Sequence, residues 1–174
     1  MRSIVLGLGI SIDGYIARKD GSYDFLFMPT DYSTDSMAAF MKSIDTAIMG
    51  RKTWEVAKAA GGTFGPDMTS YVMSRSVKAG EQDGVTVTRQ TPQALAAAIR
   101  RKRGKNIWLM GGGEVARDFL AADLVDELYL GVVPVLLGEG IPLFPAGFPQ
   151  RDFTLTENLT FSRGLISLRY RRKR

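Results

Sequence analysis

The sequence predicts an α/β fold: a mostly parallel central sheet with helices on both faces and an antiparallel hairpin at its C-terminal end. Three observations carry this. Short apolar runs alternate with segments whose apolar residues recur every three to four positions, which reads as strand, helix, strand, helix. Some of these runs end in glycine directly before a helical segment, as in "DTAIMGRKTWE" and "NIWLMGGGEVARDFL". Near the chain's end, two apolar stretches, Phe153 to Phe161 and Leu165 to Tyr170, flank the turn residues Ser162 to Gly164.

Each element has its own signal. Ile4 to Ile10 is a short apolar run followed by Asp13 without a small-residue cleavage pattern, so it reads as a buried strand rather than a signal peptide. Met37, Phe40, Met41 and Ile44 fall at i, i+3, i+4 and i+7, one face of a helix. "DTAIMG" is a second strand, and "RKTWEVAKAA" a helix stopped by Gly61-Gly62. Ser70 to Ser74 and Val85 to Thr88 follow as strands. Thr91 can cap the next helix, Pro92 suits its first position, and Gly104 can end it. "NIWLM" is a strand, and Val115 and Phe119 mark the helix after the three glycines. The length of 174 residues fits one domain.

Composition excludes several chemistries. With no cysteine and no histidine, disulfides and thiolate chemistry are ruled out, and a zinc site or a Ser-His or Cys-His nucleophile is disfavoured. Any acid or base must be Asp, Glu, Lys, Tyr or water. The net charge of +5 sits partly in the tail "RYRRKR", which reads as a solvated chain end. No broad basic face with interleaved aromatics points to nucleic acid. No apolar stretch approaches the roughly 20 residues of a membrane span. The expectation is a cytoplasmic protein with a small-molecule substrate, bound to neither nucleic acid nor membrane.

In such folds ligands sit beyond the carboxyl ends of the strands, and three strand ends here carry a signal. Gly111, Gly112 and Gly113 stand where ordering the backbone costs most entropy; a tight turn and a phosphate cradle explain them equally well. Gly50, Arg51, Lys52 and Thr53 place two cations in a helix's first turn, against the helix dipole, as if an anion lay there. Ser74, Arg75 and Ser76 put an arginine between two hydroxyls, able to grip a phosphate with two bonds. Three such loops suit a ligand with several phosphates, a dinucleotide. The two arginines favour an extra phosphate, hence NADP(H) over NAD(H).

The blocks "SIDGYIA", "DTAIMGRKTWE", "VMSRS", "MGGGEVARDFL" and "VDELYLGVVPVLLGEGIPLF", in that order, span nearly the whole chain. Together they resemble the three-layer dihydrofolate reductase-like fold, in the branch of the riboflavin-biosynthesis reductase domain. The resemblance implies an NADPH-dependent reductase. Residues 50–53 would hold cofactor phosphates, Ser74 to Ser76 would lie beside the 2′-phosphate, and Gly111, Gly112, Gly113, Glu114 and Val115 would surround the pyrophosphate. It also implies a cis peptide between Gly111 and Gly112. Leu8 and Gly9 would face the nicotinamide, Ile16 and Ala17 the cofactor's other side. Members of this branch are commonly homodimers, and Leu130 to Gly138 suits either an interface or an interior strand.

Two departures bear on the substrate. Asp31 and Asp35 do not match the spacing of the acid that grips the pterin in dihydrofolate reductases, and Gly131 stands where those enzymes carry a threonine. Candidates on the substrate side are Asp13, Asp35 and Glu55 for acid-base work and Trp54 for contact. Asp13 has a structural reading within its loop, Asp35 one as a helix cap, and Trp54 one as a core residue. The leading expectation is reduction of a C=N or C=O group on a small heterocyclic or sugar-like substrate. A dihydrofolate reductase and a non-catalytic NADP(H)-binding protein are the alternatives.

Overall fold

The computed structural model describes residues 1–61 and 67–173. In chain order the elements are β1 (Ile4–Ser11), β2 (Tyr15–Ala17), α1 (Ala38–Ser43), β3 (Ile44–Gly50), α2 (Arg51–Ala59), β4 (Thr69–Met73), β5 (Gly80–Gln82), β6 (Val85–Thr88), α3 (Pro92–Arg100), β7 (Asn106–Gly111), α4 (Gly113–Ala121), β8 (Glu127–Val133), β9 (Ile141–Pro142), β10 (Phe153–Thr160) and β11 (Ile166–Arg172). A π-helical turn, Tyr32–Met37, runs directly into α1.

The main sheet has the order β10-β11-β8-β1-β7-β3-β4-β6-β5. Its centre, from β8 to β6, is parallel. The hairpin β10–β11 joins β8 antiparallel at one edge, as the turn at Ser162 to Gly164 predicts, and β5 closes the other. A two-stranded ribbon, β2 with β9, stands apart from it.

Side-chain alternation along β1 divides the core. Ile4, Leu6 and Ile10 face α3 and α4, where Leu95, Ile99, Ala116, Phe119 and Leu120 pack on Ile48, Ile107 and Leu109. Val5 faces the opposite side with Phe40 of α1, Tyr32, Tyr129 and Phe25. On that side Trp54 of α2 rests on Ala47, Met49 and Val72. Helices therefore cover both faces, and the three-layer α/β expectation holds.

Some local expectations are corrected. α3 has the expected cap, Thr91 Oγ1 accepting from the Ala94 amide at 3.2 Å, with Pro92 first. It ends at Arg100, however, not at Gly104. The role of Gly104 is close approach: a Cβ there would lie 2.5 Å from Asp45 Oδ2 and 2.8 Å from Arg2 Cζ. Those two side chains form an ion pair at the sheet's N-terminal edge. Ile44 keeps its predicted burial with Phe40 but as the first residue of β3, because the helix stops at Ser43. α2 ends at Ala59; the expected stop at Gly61-Gly62 lies partly outside the described residues. β2, β5 and β9, of two or three residues each, are too short to give a periodic signal. Among the described residues no helix is long and apolar enough to cross a membrane.

Candidate functional site

The carboxyl ends of β1, β7, β3 and β4 lie side by side at one edge of the sheet, a row roughly 14 Å across at about 4.8 Å per strand spacing. Register fixes the neighbours: Met49 pairs with Gly111, and Gly50 with Met73. β1 opens at this edge. Ile4 to Gly7 are buried, whereas Leu8 and Gly9 are half-exposed.

The three glycines serve three different needs. Gly111 has a φ of +77°, which favours glycine, and a Cβ there would lie 3.2 Å from Leu8 Cδ1. The Gly111–Gly112 peptide is cis. The Gly112 amide donates to Thr53 Oγ1 at 2.9 Å, tying the turn to α2, while the space over its Cα borders Ile16 Cδ1 at 3.5 Å. At Gly113 a Cβ would run into the Pro142 carbonyl and come within 3.2 Å of Pro145 Cδ. β9 thus fills the space over the Gly113 Cα, and of this residue only the backbone remains to meet the expected pyrophosphate.

Two helices start here without side-chain caps. Gly50 caps α2 and Gly112 caps α4, so neither cap residue has a side chain to bond the first-turn amides, in contrast to Thr91 of α3; the Thr53 hydroxyl takes only the Gly112 amide itself. The orphan amides of a helix's first turn and its dipole both favour an anion. A side chain at Gly50 would press within 3.1 Å of Val115 Cγ2, so the two helix starts abut.

Cations flank them. Arg51 Nη1 binds Glu55 Oε1 at 2.7 Å, one turn along α2, and Lys52 is exposed. At the end of β4, Ser74 Oγ accepts the Val77 amide at 3.1 Å and lies 3.4 Å from Ser76 Oγ, shaping a turn that leaves Arg75 exposed. Among the described residues neither Lys52 nor Arg75 forms an ion pair. Glu114 is exposed in the first turn of α4, a negative charge at that helix start.

The remaining expected residues separate. Ile16 reaches the glycine turn, whereas Ala17 is buried and pairs with Ile141. Leu8 borders Gly111, whereas Gly9 lies on the other face under Leu26, whose Cδ2 is 3.2 Å from where a Cβ would stand. Asp13 ties loops together: its carboxylate accepts Ser11 Oγ at 2.6 Å, the Gly138 amide at 2.8 Å and the Leu137 amide at 3.1 Å. The Ser11 hydroxyl first, and then these amides, hold its pKa below the usual carboxylate range against some desolvation. Asp35 is not the helix cap. That part falls to Asp31, which accepts the amides of Tyr32 and Ser162 and the Ser162 hydroxyl; Asp35 is exposed and bonded to Thr34. Glu55 is held by Arg51, and Trp54 lies half-buried in the core with the Lys58 ammonium 5.6 Å from its ring. Leu130 to Val133 form an interior strand between β1 and β11, so only residues 134–138 of the suggested interface remain outside it.

A buried hydroxyl cluster escaped the sequence reading. Ser36 Oγ and Tyr129 Oη are 2.7 Å apart, with Tyr32 stacked beside Tyr129. Tyr32 and Ser36 stand four apart, but a π-helical turn and a partner 93 residues away leave no local signature.

The mostly parallel sheet covered by helices on both faces and closed by the antiparallel β10–β11 hairpin places the chain in the dihydrofolate reductase-like class. The model of the RibD C-terminal domain family matches residues 2–167, and the chain belongs to that family. The uncharacterized protein YwjB of Bacillus subtilis (strain 168) is 38% identical over 144 residues, covering 82% of this chain and 83% of YwjB. The crystal structure of a provisionally named riboflavin biosynthesis protein from Shewanella sp. PV-4 superposes with a TM-score of 0.86 at 30% identity, covering all of both chains. The Thermotoga maritima diaminohydroxyphosphoribosylaminopyrimidine deaminase/5-amino-6-(5-phosphoribosylamino)uracil reductase shares the fold, with a TM-score of 0.72 at 14% identity, over 99% of this chain and 57% of that one.

Gly113→Ala will destabilise the protein by about 1–3 kcal/mol, because the new methyl meets backbone rather than a yielding side chain; urea unfolding measures this, and an unchanged midpoint contradicts it. A carboxyl whose folded pKa is depressed stabilises fully above its ordinary value and loses that contribution as pH falls through the lowered one. Amide-exchange protection at Leu137 and Gly138 will therefore not depend on the Asp13 charge until below about pH 4. In Asp13→Asn it will be weaker than in the wild type above that pH, and the difference will close as the wild-type carboxyl is protonated; an equal response of wild type and variant would contradict the clip.

Proposed function

We propose that this chain is an NADPH-dependent reductase that delivers a hydride to a C=N or C=O carbon of a small heterocyclic or sugar-like substrate, as a 5-amino-6-(5-phosphoribosylamino)uracil reductase does. The observation that carries the reading is the pair of abutting helix starts, both capped by glycine and neither with a capping side chain on its first-turn amides, with Arg51, Lys52 and Arg75 around them. They fit a group with several phosphates.

In this reading the backbone at residues 50–53 and 111–114 receives phosphates. Arg75 and Arg51 meet the additional 2′-phosphate, Arg51 exchanging its exposed bond to Glu55 for it, an inexpensive change since such pairs contribute little. Thr53 keeps the glycine turn in place through the Gly112 amide. Leu8, Ile16 and Val115 give the apolar surface along the turn, and Gly9 leaves the sheet face bare beneath Leu26, on the substrate side. Bound NADPH supplies the hydride, so no protein nucleophile is needed. What the chain contributes is binding, orientation and exclusion of water.

Dihydrofolate reduction is less well supported. Its gripping acid would be Asp31, which is bound to Ser162, or Asp35, which is exposed, and its threonine position is Gly131. The homodimer stays within the proposal, as do the low-molecular-weight substrate and a cytoplasmic site of action.

Arg51→Ala combined with Arg75→Ala will weaken NADPH binding by about ten- to a hundredfold, one to two charge-assisted hydrogen bonds' worth, and leave NADH binding nearly unchanged. Fluorescence titration with both cofactors measures this. An equal loss for both would remove the 2′-phosphate assignment.

A further inference from the structure

Gly9 of β1 and Gly131 of β8 are register partners, leaving a patch of sheet without side chains next to the half-exposed end of β1. Two side chains lie over it. Over Gly131, the Tyr32 hydroxyl is 3.4 Å from where a Cβ would stand; over Gly9 lies the half-buried Leu26, on the irregular segment between β2 and the π-helical turn. Tyr32 is 5% exposed and Tyr129 2%, and behind them Ser36 Oγ meets Tyr129 Oη at 2.7 Å.

The polar groups of this seat are hydroxyls. Arg169 stacks on the Tyr129 ring at 4.5 Å with Glu157 at 3.2 Å balancing it, and the Asp31 carboxylate is turned to Ser162. A cluster of hydroxyls inside an aromatic core has a desolvation cost that apolar packing would avoid. It stands on a π-helical turn, an irregularity frequent at functional sites. Hydroxyls without a facing carboxylate suit an uncharged ring with carbonyl or imine edges; a basic ring that binds protonated needs a carboxylate partner.

We propose that Tyr32 Oη is the substrate's inner hydrogen-bonding partner on the bare Gly9–Gly131 floor, that Tyr129 and Ser36 position it, and that this seat selects a flat uncharged heterocycle which enters by displacing the Leu26 side chain. Burial, and then the hydrogen bond to the Tyr129 hydroxyl, raise the Tyr32 pKa, so the phenol remains protonated near neutral pH and meets a ligand by turning its proton from Tyr129 to it. This inference rests on the reductase reading, and the two fail separately.

The test uses the full chain, NADPH, and two probes with the same bicyclic ring: lumazine, which carries carbonyls, and 2,4-diaminopteridine, which is basic. If wild type does not bind NADPH, the reductase reading falls, whatever the probes do. With NADPH binding in hand, lumazine is expected to bind more tightly than 2,4-diaminopteridine. Tyr32→Phe is expected to weaken lumazine about tenfold, one hydrogen bond's worth, with the NADPH affinity unchanged. Tyr129→Phe should weaken lumazine less, and Ser36→Thr, which keeps a hydroxyl, should preserve it. Gly131→Thr should abolish lumazine binding while leaving NADPH bound. Failure of lumazine to bind at millimolar concentration, tighter binding of the diaminopteridine, or an unchanged lumazine affinity in Tyr32→Phe would each overturn the seat.

Discussion

The constraint on which the rest depends is close approach at the end of β7. Within a few residues the chain must leave the sheet, start α4, and let four other elements touch the turn. Leu8 comes from β1, Thr53 from α2, Ile16 from β2 and Pro142 from β9. No side chain fits at Gly113, and a positive φ is required at Gly111. Glycine's entropic penalty is accepted because backbone, not side chain, is what these elements meet.

That convergence links the two ends of the argument. β9 reaches Gly113 on one side and pairs with β2 on the other, and Asp13 binds the segment before β2 to the loop before β9. The phosphate-side glycines and the segment leading to Leu26 are thereby joined through a two-stranded ribbon. On the opposite face of the sheet, the pairing of Gly9 with Gly131 repeats the same logic, bare backbone that lets the Leu26 and Tyr32 side chains lie close.

Much of this was legible in the sequence. The alternation of apolar runs and helical periods specified a parallel sheet, and Thr91 and Pro92 marked α3 because caps are local chemistry. The glycine- and arginine-bearing helix starts were visible for the same reason: glycine and arginine at a strand-to-helix junction stand within five residues of one another. What escaped was non-local. The contact of Pro142 with Gly113 and the bond of Ser36 to Tyr129 join residues 29 and 93 positions apart. Asp35 was credited with capping because it precedes a helical pattern, yet the chain becomes helical earlier and Asp31 takes the part. Acid candidates were named by residue type, and type alone cannot separate a carboxylate that holds a loop, as in Asp13, from one aimed at a substrate.

The central claim is that four neighbouring strand ends form one cradle for a phosphate-rich cofactor. Backbone amide shifts in an NADPH titration followed by NMR test it most directly. The account predicts that the largest changes fall together on residues 50–53, 74–76 and 111–115, with Gly112 and Gly113 among them, and that the amides of α3 and of the β10–β11 hairpin stay still. Saturable binding whose shifts lie on those distant elements, or no shifts at millimolar NADPH, would contradict it.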